Sequence, residues 1–311
     1  MKKFYKWAAI TFVGLTISIH KSYSMDVEDN LDSSDLDIAS SAKRIYNLQP
    51  SYGTDSYNWI KSHESQNTSM AYTFTHLPEK YDFKDQIPYI HDQGNLGSCT
   101  AQAITLSMEY ILKRNSPELY RKLSPLFVYY NERALEGTIF TDAGAVIADG
   151  IKTVCKDGAC SEALWSYRDK GNKFKQKPPL LAYKDAKLSV DLDHIGNSNV
   201  PQELQTLKGI LAQGIPIVFG CHIFSSFESD EVEKTGKIPM PKNRERKLGG
   251  HAMTLVGYND RKKVFYLANS WGEQWGKKGF GTIPYDYITN PKFTFPDEFW
   301  KIETVGPKMK R

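Results

Sequence analysis

Cysteine is scarce in this sequence, which has four among 311 residues (Cys99, Cys155, Cys160 and Cys221). Four are too few for the disulfide framework that holds small secreted domains together. Neither a Cys-x-x-Cys nor a His-Glu-x-x-His spacing occurs, so no metal site and no cofactor are predicted. We expect one reactive thiol and up to three ordinary ones. Cys155 and Cys160 either close a small disulfide loop or remain thiols.

The body of the chain also lacks a basic excess. The formal charge is +4 (40 − 36), but Lys2, Lys3, Lys6 and Lys21 lie in the first 24 residues, which contain no acid. The rest of the chain therefore balances at 36 − 36 = 0. Because nucleic-acid-binding proteins carry their basic excess on the folded surface, we predict no nucleic-acid partner.

Long apolar runs are absent, and the one near the N-terminus is short, extending from Trp7 to Ile19. It follows Lys2 and Lys3 and precedes a polar stretch that ends at Ser24, a pattern typical of a secretory signal peptide. The alternative is a membrane anchor, but a spanning helix needs ~20 apolar residues. We therefore predict a signal peptide over residues 1–24, no stable membrane insertion after its removal, and a secreted or periplasmic location.

Residues 25–76 differ in composition from the remainder of the chain. They contain eight acidic and three basic residues, a balance of 3 − 8 = −5, whereas residues 77–311 carry 33 − 28 = +5. Serine is frequent in this stretch and apolar periodicity is weak. The composition predicts an acidic leader or propeptide over 25–76, attached to a folded domain over 77–311. The leader either lies on the oppositely charged domain or is a solvated tail.

The domain has helical patterns early and strand patterns late. Apolar residues recur at helical spacing in the first part, and β-branched and aromatic residues lie between glycines in the second. This order predicts an α+β fold of two subdomains, a helical one over about 91–185 and a β one over about 186–311. The predicted helices cover 99–114, 124–135, 145–155 and 202–213, and the predicted strands cover 215–219, 252–258, 264–269 and 279–283.

Cys99 has the sequence surroundings that a nucleophilic thiol needs. The thiolate is the nucleophile, and a cysteine with its ordinary pKa of about 8.5 is mostly protonated at neutral pH. A helix N-terminus and a neighbouring imidazolium both favour the thiolate. Cys99 begins the first predicted helix and follows the glycine-containing segment Asp92-Gln-Gly-Asn-Leu-Gly-Ser. Because a substrate must reach the sulfur, we expect Cys99 to be accessible.

A histidine and an asparagine occur later in surroundings that suit a catalytic base. His251 enters an apolar strand directly after Gly249 and Gly250, where side-chain crowding is lowest. Asn269 ends another predicted strand, and Trp271 follows it with a second tryptophan four residues later. An asparagine amide can accept the imidazole N–H that faces away from sulfur, and indole rings would shield that bond from water.

Together these segments resemble the papain-type (C1) cysteine peptidases. The resemblance rests on Gln93 six residues before Cys99, on Gly-Ser-Cys, on Gly-His-Ala in a strand, and on Asn-Ser-Trp-Gly-x-x-Trp-Gly, in the order typical of that family. It covers most of residues 77–311. It implies a papain-like two-lobed fold, with a helical lobe, a β-barrel-like lobe and the active site in the cleft between them. The Gly-Ser-Cys-Thr variant resembles a bacterial-type branch.

The resemblance implies a catalytic role for four residues. Cys99 would be the nucleophile, and His251 would be the general base and later the general acid. Asn269 would orient His251. Gln93 would join the backbone N–H of Cys99 in an oxyanion hole, whose donors each contribute about 2.7–4 kcal/mol to catalysis.

Substrate-binding positions are implied at Gly144, Gly250 and Trp271. Gly144 would offer its backbone to a substrate strand, and Trp271 would border the leaving group. The pocket beside Gly250 lacks a charge, which predicts an apolar or aromatic substrate side chain. Two positions depart from the family, because Leu96 stands in place of a cysteine and Thr100 in place of a tryptophan. The leader lacks the long helical inhibitory pattern of eukaryotic members, so the sequence does not predict that it blocks the cleft.

The predicted function is an exported papain-like cysteine endopeptidase that acts through a thioester on Cys99. Two alternatives stay open. An amine could resolve the same thioester, which would give a transamidase or transpeptidase, or the fold could serve as a non-catalytic secreted binding protein. The expected partners are a protein or peptide substrate and an inhibitor, either cystatin-like or a pro-segment.

Overall fold

The structure is a computed structural model of the chain that describes residues 44–63, 76–189 and 197–303. The predicted signal peptide and the larger part of the predicted leader lie outside the described residues. Within those residues, no helix combines the length and apolar character that crossing a bilayer requires. The same residues contain no group of three His, Cys, Asp or Glu side chains that could hold a metal ion.

Helices are the main regular elements among the described residues before residue 190. The one over Pro125–Glu136 shows why they start and stop where they do: Ser124 Oγ accepts a hydrogen bond from the Phe127 amide, and Gly137 ends the helix at φ +73°. The described α-helices are α1 (Asp55–His63), α2 (Cys99–Asn115), α3 (Pro125–Glu136), α4 (Ile147–Asp157), α5 (Leu180–Ser189), α6 (Leu204–Ala212), α7 (Asp230–Thr235) and α8 (Tyr285–Ile288).

An antiparallel sheet of seven strands forms the other lobe. The described strands are β1 (Leu48–Gln49), β2 (Lys80–Asp82), β3 (Ala145–Val146), β4 (Asn197–Asn199), β5 (Ile217–Phe224), β6 (Lys247–Asn259), β7 (Val264–Ala268), β8 (Phe280–Pro284) and β9 (Thr294–Ile302). The strand order in the sheet is β4-β9-β5-β6-β7-β8, and β2 pairs with β6 beside that path. A separate two-stranded pair joins β1 and β3 in parallel.

Helix α2 is the central element, because it packs on both lobes. Every residue from Cys99 to Leu112 is buried, and the helix contacts β6 of the sheet as well as α3 and α4. The hydroxyl of Thr254 on β6 donates to the carbonyl oxygen of Ala103 at 3.3 Å. The N-terminus of α2 therefore lies against the strand that carries His251.

The predicted α+β, two-lobed architecture is confirmed. The first two predicted helices are found to within one residue at each end. The third starts at Ile147 rather than at residue 145, because Ala145 and Val146 pair with β1. Strand β5 continues beyond its predicted end at residue 219, through Gly220 to Phe224. Strand β6 begins at Lys247, before its predicted start at residue 252, and so includes Gly249 and Gly250. The two strands pair with each other over most of this length.

No disulfide joins the four cysteines, which all lie in the described part of the chain. Of the two alternatives for Cys155 and Cys160, the structure shows the one in which both remain thiols. Cys221 is fully buried in β5, as expected for a core residue.

Candidate active site

Cys99 is the first residue of α2 and lies at the junction of the two lobes. The loop before it is held by the carboxylate of Asp142, whose two oxygens accept from the Gly97 amide at 3.0 and 3.1 Å. Across the junction, the amide of Ala252 donates to the Cys99 thiol. Since Ala252 directly follows His251, the structure brings the predicted nucleophile and the predicted base together.

His251 lies on β6, opposite Cys221 of β5, and is oriented by Asn269. Its Nε2 lies 2.9 Å from Asn269 Oδ1. The asparagine is fixed in turn, because its Oδ1 also accepts from the Ser270 amide at 2.8 Å. The other ring nitrogen, Nδ1, has no hydrogen-bond partner among the described residues. Nδ1 is therefore the ring nitrogen that Asn269 does not use, and it makes no hydrogen bond to the Cys99 thiol.

Trp271 covers the His251–Asn269 pair. Its ring stacks on the His251 ring with centroids 5.1 Å apart and an interplanar angle of 27°. Trp275 packs edge-on against Trp271, with centroids 5.5 Å apart. The two indoles exclude water from the Asn269 hydrogen bond and so strengthen it.

The side-chain amide of Gln93, in the loop before Cys99, is held at both ends. Ser270 Oγ donates to Gln93 Oε1 at 2.6 Å, and Gln93 Nε2 donates to the Leu96 carbonyl at 2.9 Å. One N–H of that NH2 group is used by Leu96. The second N–H is the donor that an oxyanion would need.

Burial keeps the thiol and the imidazole neutral in this structure. It raises the pKa of Cys99 to about 12, an effect that the Ala252 amide opposes and the Glu132 carboxyl group reinforces. Burial also lowers the pKa of His251 to about 4, against the effect of the Asn269 bond, and the cation of Arg44 lowers it further. At neutral pH the two groups are therefore a thiol and an imidazole rather than a reactive ion pair.

Beneath the N-terminus of α2 lies a buried carboxyl group on α3. Thr100 Oγ1 donates to Glu132 Oε2 at 2.9 Å. Burial raises the pKa of Glu132 well above its usual range, and the Thr100 bond opposes this rise. The unusual Thr100 thus supplies a hydrogen bond under the catalytic helix, and the unusual Leu96 is simply buried.

The N-terminal segment, residues 44–63, passes through the cleft between Gly144 and Gly250. The backbone of Asn47 forms an isolated parallel β-bridge with Gly250, and Leu48 of β1 pairs with Ala145 of β3. A Cβ atom on Gly144 would lie 2.0 Å from the Asn47 oxygen, and one on Gly250 would lie 2.7 Å from the Leu48 oxygen. Only glycine at these two positions lets the segment approach so closely.

Tyr46 packs against His251, while Asn47 and Leu48 lie against glycines next to the two residues of the Cys99–His251 pair. The Tyr46 ring meets the His251 ring edge-on, with centroids 5.9 Å apart. Cys99 and His251 have no exposed surface. The expectation of an accessible Cys99 is therefore wrong for the chain with this segment in place.

The side chain of Leu48 fills the pocket beside Gly250 and is 3% exposed. A Cβ atom on Gly220 would lie 2.7 Å from Leu48 Cδ2, and one on Gly250 would lie 2.8 Å from the Phe295 ring. Glu298 contributes its Cβ to the same wall. The occupant of the pocket is apolar, but a carboxyl group that the sequence did not predict stands beside it.

Ser51 ties the N-terminal segment to both lobes. Its amide and hydroxyl donate to the Glu298 carboxyl group on β9. Its Oγ accepts from the Ala148 amide on α4 at 3.0 Å. Burial raises the pKa of Glu298 to about 7, although the Ser51 bonds oppose this rise.

Helix α1 continues the segment along the surface of α4. Ile60 is buried, Ser56 hydrogen-bonds to Asp149, and the Tyr57 ring packs edge-on against Trp300 with centroids 6.1 Å apart. The segment is therefore packed against the domain over its described length.

The N-terminal end of the segment is held by Glu228 and Glu233, two acids in the polar stretch over residues 225–246. Tyr46 OH donates to Glu228 at 2.7 Å, and Arg44 Nη2 lies 3.4 Å from Glu233 Oε1. Of the two alternatives for the leader, its described part lies on the domain. The net charges do not explain this contact, since here the segment supplies the cation and the domain supplies the acid.

A model of the papain family of cysteine proteases matches residues 77–290. The chain belongs to this family. It is 41% identical over 220 residues to an uncharacterized peptidase C1-like protein of Acanthamoeba polyphaga mimivirus, with 69% of each chain covered. It is 27% identical over 227 residues to rat cathepsin 7, covering 68% of this chain and 62% of the cathepsin.

Solved structures agree with this assignment. Xylellain, a cysteine protease from Xylella fastidiosa, has 37% sequence identity and a TM-score of 0.67, covering 74% of this chain and 87% of its own. Bromelain from Ananas comosus, at 18% identity and a TM-score of 0.55, shares the fold. The papain-family protein described here is therefore a cysteine-type peptidase by class.

Sequence reasoning missed several residues of the papain-family site. Ser270 follows Asn269 directly, so its position was visible although its bond to Gln93 was not. Glu298 is a charged residue beside the apolar Phe-Trp pair of β9, which is a weak signal of a buried acid. Tyr46 and Leu48 form one of the few apolar clusters of the leader, which is a weak signal of a contact with the domain.

Proposed function

We propose that the chain is a cysteine endopeptidase that hydrolyses peptide bonds, with Cys99 as nucleophile. The observation that carries this proposal is the His251–Asn269 hydrogen bond beside a thiol at a helix N-terminus. This hydrogen bond orients the His251 imidazole, whose Nδ1 is not used by Asn269. The imidazole and the Cys99 sulfur both lie at the junction of the two lobes.

The reaction follows from these positions. His251 takes the thiol proton, and the Cys99 thiolate adds to the scissile carbonyl carbon. The imidazolium then protonates the departing amine, which leaves a thioester on Cys99. His251 next removes a proton from water, which attacks the thioester and releases the carboxylic acid and the thiol. Asn269 holds the ring in one orientation through both steps.

Charge on the carbonyl oxygen is stabilised by two donors. The second N–H of Gln93 Nε2 and the backbone N–H of Cys99 would form the oxyanion hole. Ser270 supports the first donor, because its bond to Gln93 Oε1 fixes which end of the amide faces Cys99. Gly144 and Gly250 would bind the substrate backbone where the N-terminal segment now passes.

The N-terminal segment would act as a propeptide that keeps the enzyme latent. It buries Cys99 and His251, occupies the pocket beside Gly250, and keeps the catalytic pair neutral. Departure of the segment would hydrate both groups, lower the pKa of the thiol and raise that of the imidazole. The ion pair needed for attack would then form.

Export and lineage belong to the same proposal. The Lys-rich start and the apolar run from Trp7 to Ile19 support a cleaved signal peptide and a secreted or periplasmic enzyme. The identity to xylellain of Xylella fastidiosa supports a bacterial-type branch that carries Gly-Ser-Cys-Thr.

The test is cleavage of quenched peptides by the full chain, before and after incubation that allows processing. We expect cleavage that a cysteine-directed epoxide stops and that Cys99→Ala abolishes, with Cys155→Ala as the matched thiol control. Cleavage that persists in Cys99→Ala would refute the assignment of the nucleophile. Amide products formed with an added amine, in place of hydrolysis, would indicate a transamidase. A chain that binds peptides and never cleaves them would be a binding protein.

A further inference from the structure

Arg44 occupies a defined place beside the catalytic histidine. Its guanidinium carbon lies 4.2 Å from the centroid of the Trp271 ring. Its Nη2 lies 3.4 Å from Glu233 Oε1. Trp271 in turn stacks on His251. One cation of the N-terminal segment is therefore held by an aromatic face and a carboxylate close to the reacting groups.

A pocket of about 370 Å³ adjoins this guanidinium, and its lining comes from Arg44 and from separate parts of the domain. Asp92 and Asn95 come from the loop before Cys99, Trp271 follows β7, and Glu233 lies on α7. Apart from Arg44 itself, the described residues that line the pocket include two carboxylates and no cation. The domain therefore offers a negative pocket with an aromatic wall, and the chain's own arginine shows which chemistry fits it.

His251 protonates the departing amine in the proposed mechanism, and Trp271 stacks on His251. The pocket beside Trp271 would therefore lie on the leaving-group side of Cys99. Leu48 lies against Gly250 and Gly220 instead. The segment would thus place Arg44 and Leu48 on opposite sides of the reacting atoms.

We propose that Glu233 and Trp271 form a subsite for a cationic side chain, arginine above all, on the carboxyl-terminal side of the scissile bond. The proposal rests on the proposed peptidase function and deepens it. Arginine suits the subsite better than lysine, because its planar guanidinium stacks on the indole while its N–H groups reach Glu233. Arg44 fills the subsite until the N-terminal segment leaves.

The test measures cleavage of matched peptides by the full chain carrying both Arg44→Ala and Leu48→Ala. The first substitution removes the arginine that competes for the subsite, and the second weakens the binding of the N-terminal segment in the cleft. Each pair of quenched peptides differs only in arginine or its neutral analogue citrulline at one of the three positions after the scissile bond. At one position we expect kcat/KM to be roughly fivefold higher for arginine, the size expected of an exposed ion pair plus a cation–π contact.

Glu233→Gln in this background should bring the ratio close to one while the citrulline peptide is still cleaved. Glu231→Gln, an exposed neighbour on α7, should leave the ratio unchanged. Equal cleavage of every pair, or a preference that survives Glu233→Gln, would overturn the subsite and leave the peptidase function standing. Failure to cleave any peptide would overturn the peptidase function and the subsite with it.

Discussion

Leu48→Ala should open the cleft, and its effect can be worked out from the structure. The side chain is 3% exposed and touches the wall formed by Gly220 and Phe295. Truncating a leucine in such a pocket costs about 2–5 kcal/mol. We use about 2–3 kcal/mol, because the pocket lies at a cleft that can partly close. Since about 1.4 kcal/mol is a factor of ten, the open fraction should rise roughly 30- to 150-fold.

Alkylation of Cys99 measures that fraction, since the buried thiol reacts only when the N-terminal segment moves away. The full chain would be treated with iodoacetamide, and the modified cysteine would be identified by mass mapping. The second-order rate constant at Cys99 should rise by one to two orders of magnitude in Leu48→Ala.

Leu180→Ala provides the matched control, because Leu180 is 68% exposed at the start of α5. It should leave the alkylation rate unchanged. Equal rates at Cys99 in the wild type and Leu48→Ala would show that the segment does not control access to the thiol, and the proposed latency would then be wrong.

Three further predictions concern the same cleft. Burial raises the pKa of Glu298 to about 7 in the closed form, and this pKa should return towards 4.5 when departure of the segment exposes the carboxyl group to water. Closure is therefore strongest at low pH and weakens as the pH rises through about 7. The ratio of Cys99 alkylation rates, wild type over Glu298→Gln, should increase from about pH 5 to about pH 8, and a flat ratio would contradict this. Gly144→Ala should speed alkylation, since its Cβ would meet the Asn47 oxygen at 2.0 Å, yet reduce peptide cleavage; a parallel change in both assays would argue against a shared site. Gln93→Ala should lower kcat about 10²- to 10³-fold while leaving Cys99 labelling intact, and undiminished kcat would exclude Gln93 from the oxyanion hole.

The candidate active site was largely predictable because each of its parts has a local signature. A glycine-rich loop before a helix marks Cys99, a glycine pair before an apolar strand marks His251, and a tryptophan after a strand end marks Asn269. The helix boundaries at residues 99 and 125 were predictable for similar reasons, since the breaker or capping residue stands next to them.

The path of the N-terminal segment was not predictable in the same way. Tyr46 to Leu48 is too short to show periodicity, and its partners are separated from it by about a hundred to two hundred residues. Net charge pointed to an acidic leader on a basic domain, whereas the ion pair that forms joins Arg44 to Glu233. The N-terminal segment is bound by a few pockets and by close contacts at Gly144 and Gly250. Contacts of this kind do not change the amino-acid composition enough to be predicted from it.

The bonds of Ser51 to Glu298 and to Ala148 have a consequence for how the enzyme would be switched on. They hold residues 44–63 by buried non-covalent contacts, so cutting the backbone between residues 63 and 76 would not by itself expel the inhibitor. The severed piece would become a separate molecule in equilibrium with its former host. Dissociation of the cleaved segment would then depend on the protein concentration. The segment would dissociate at low concentration and would stay bound at high concentration.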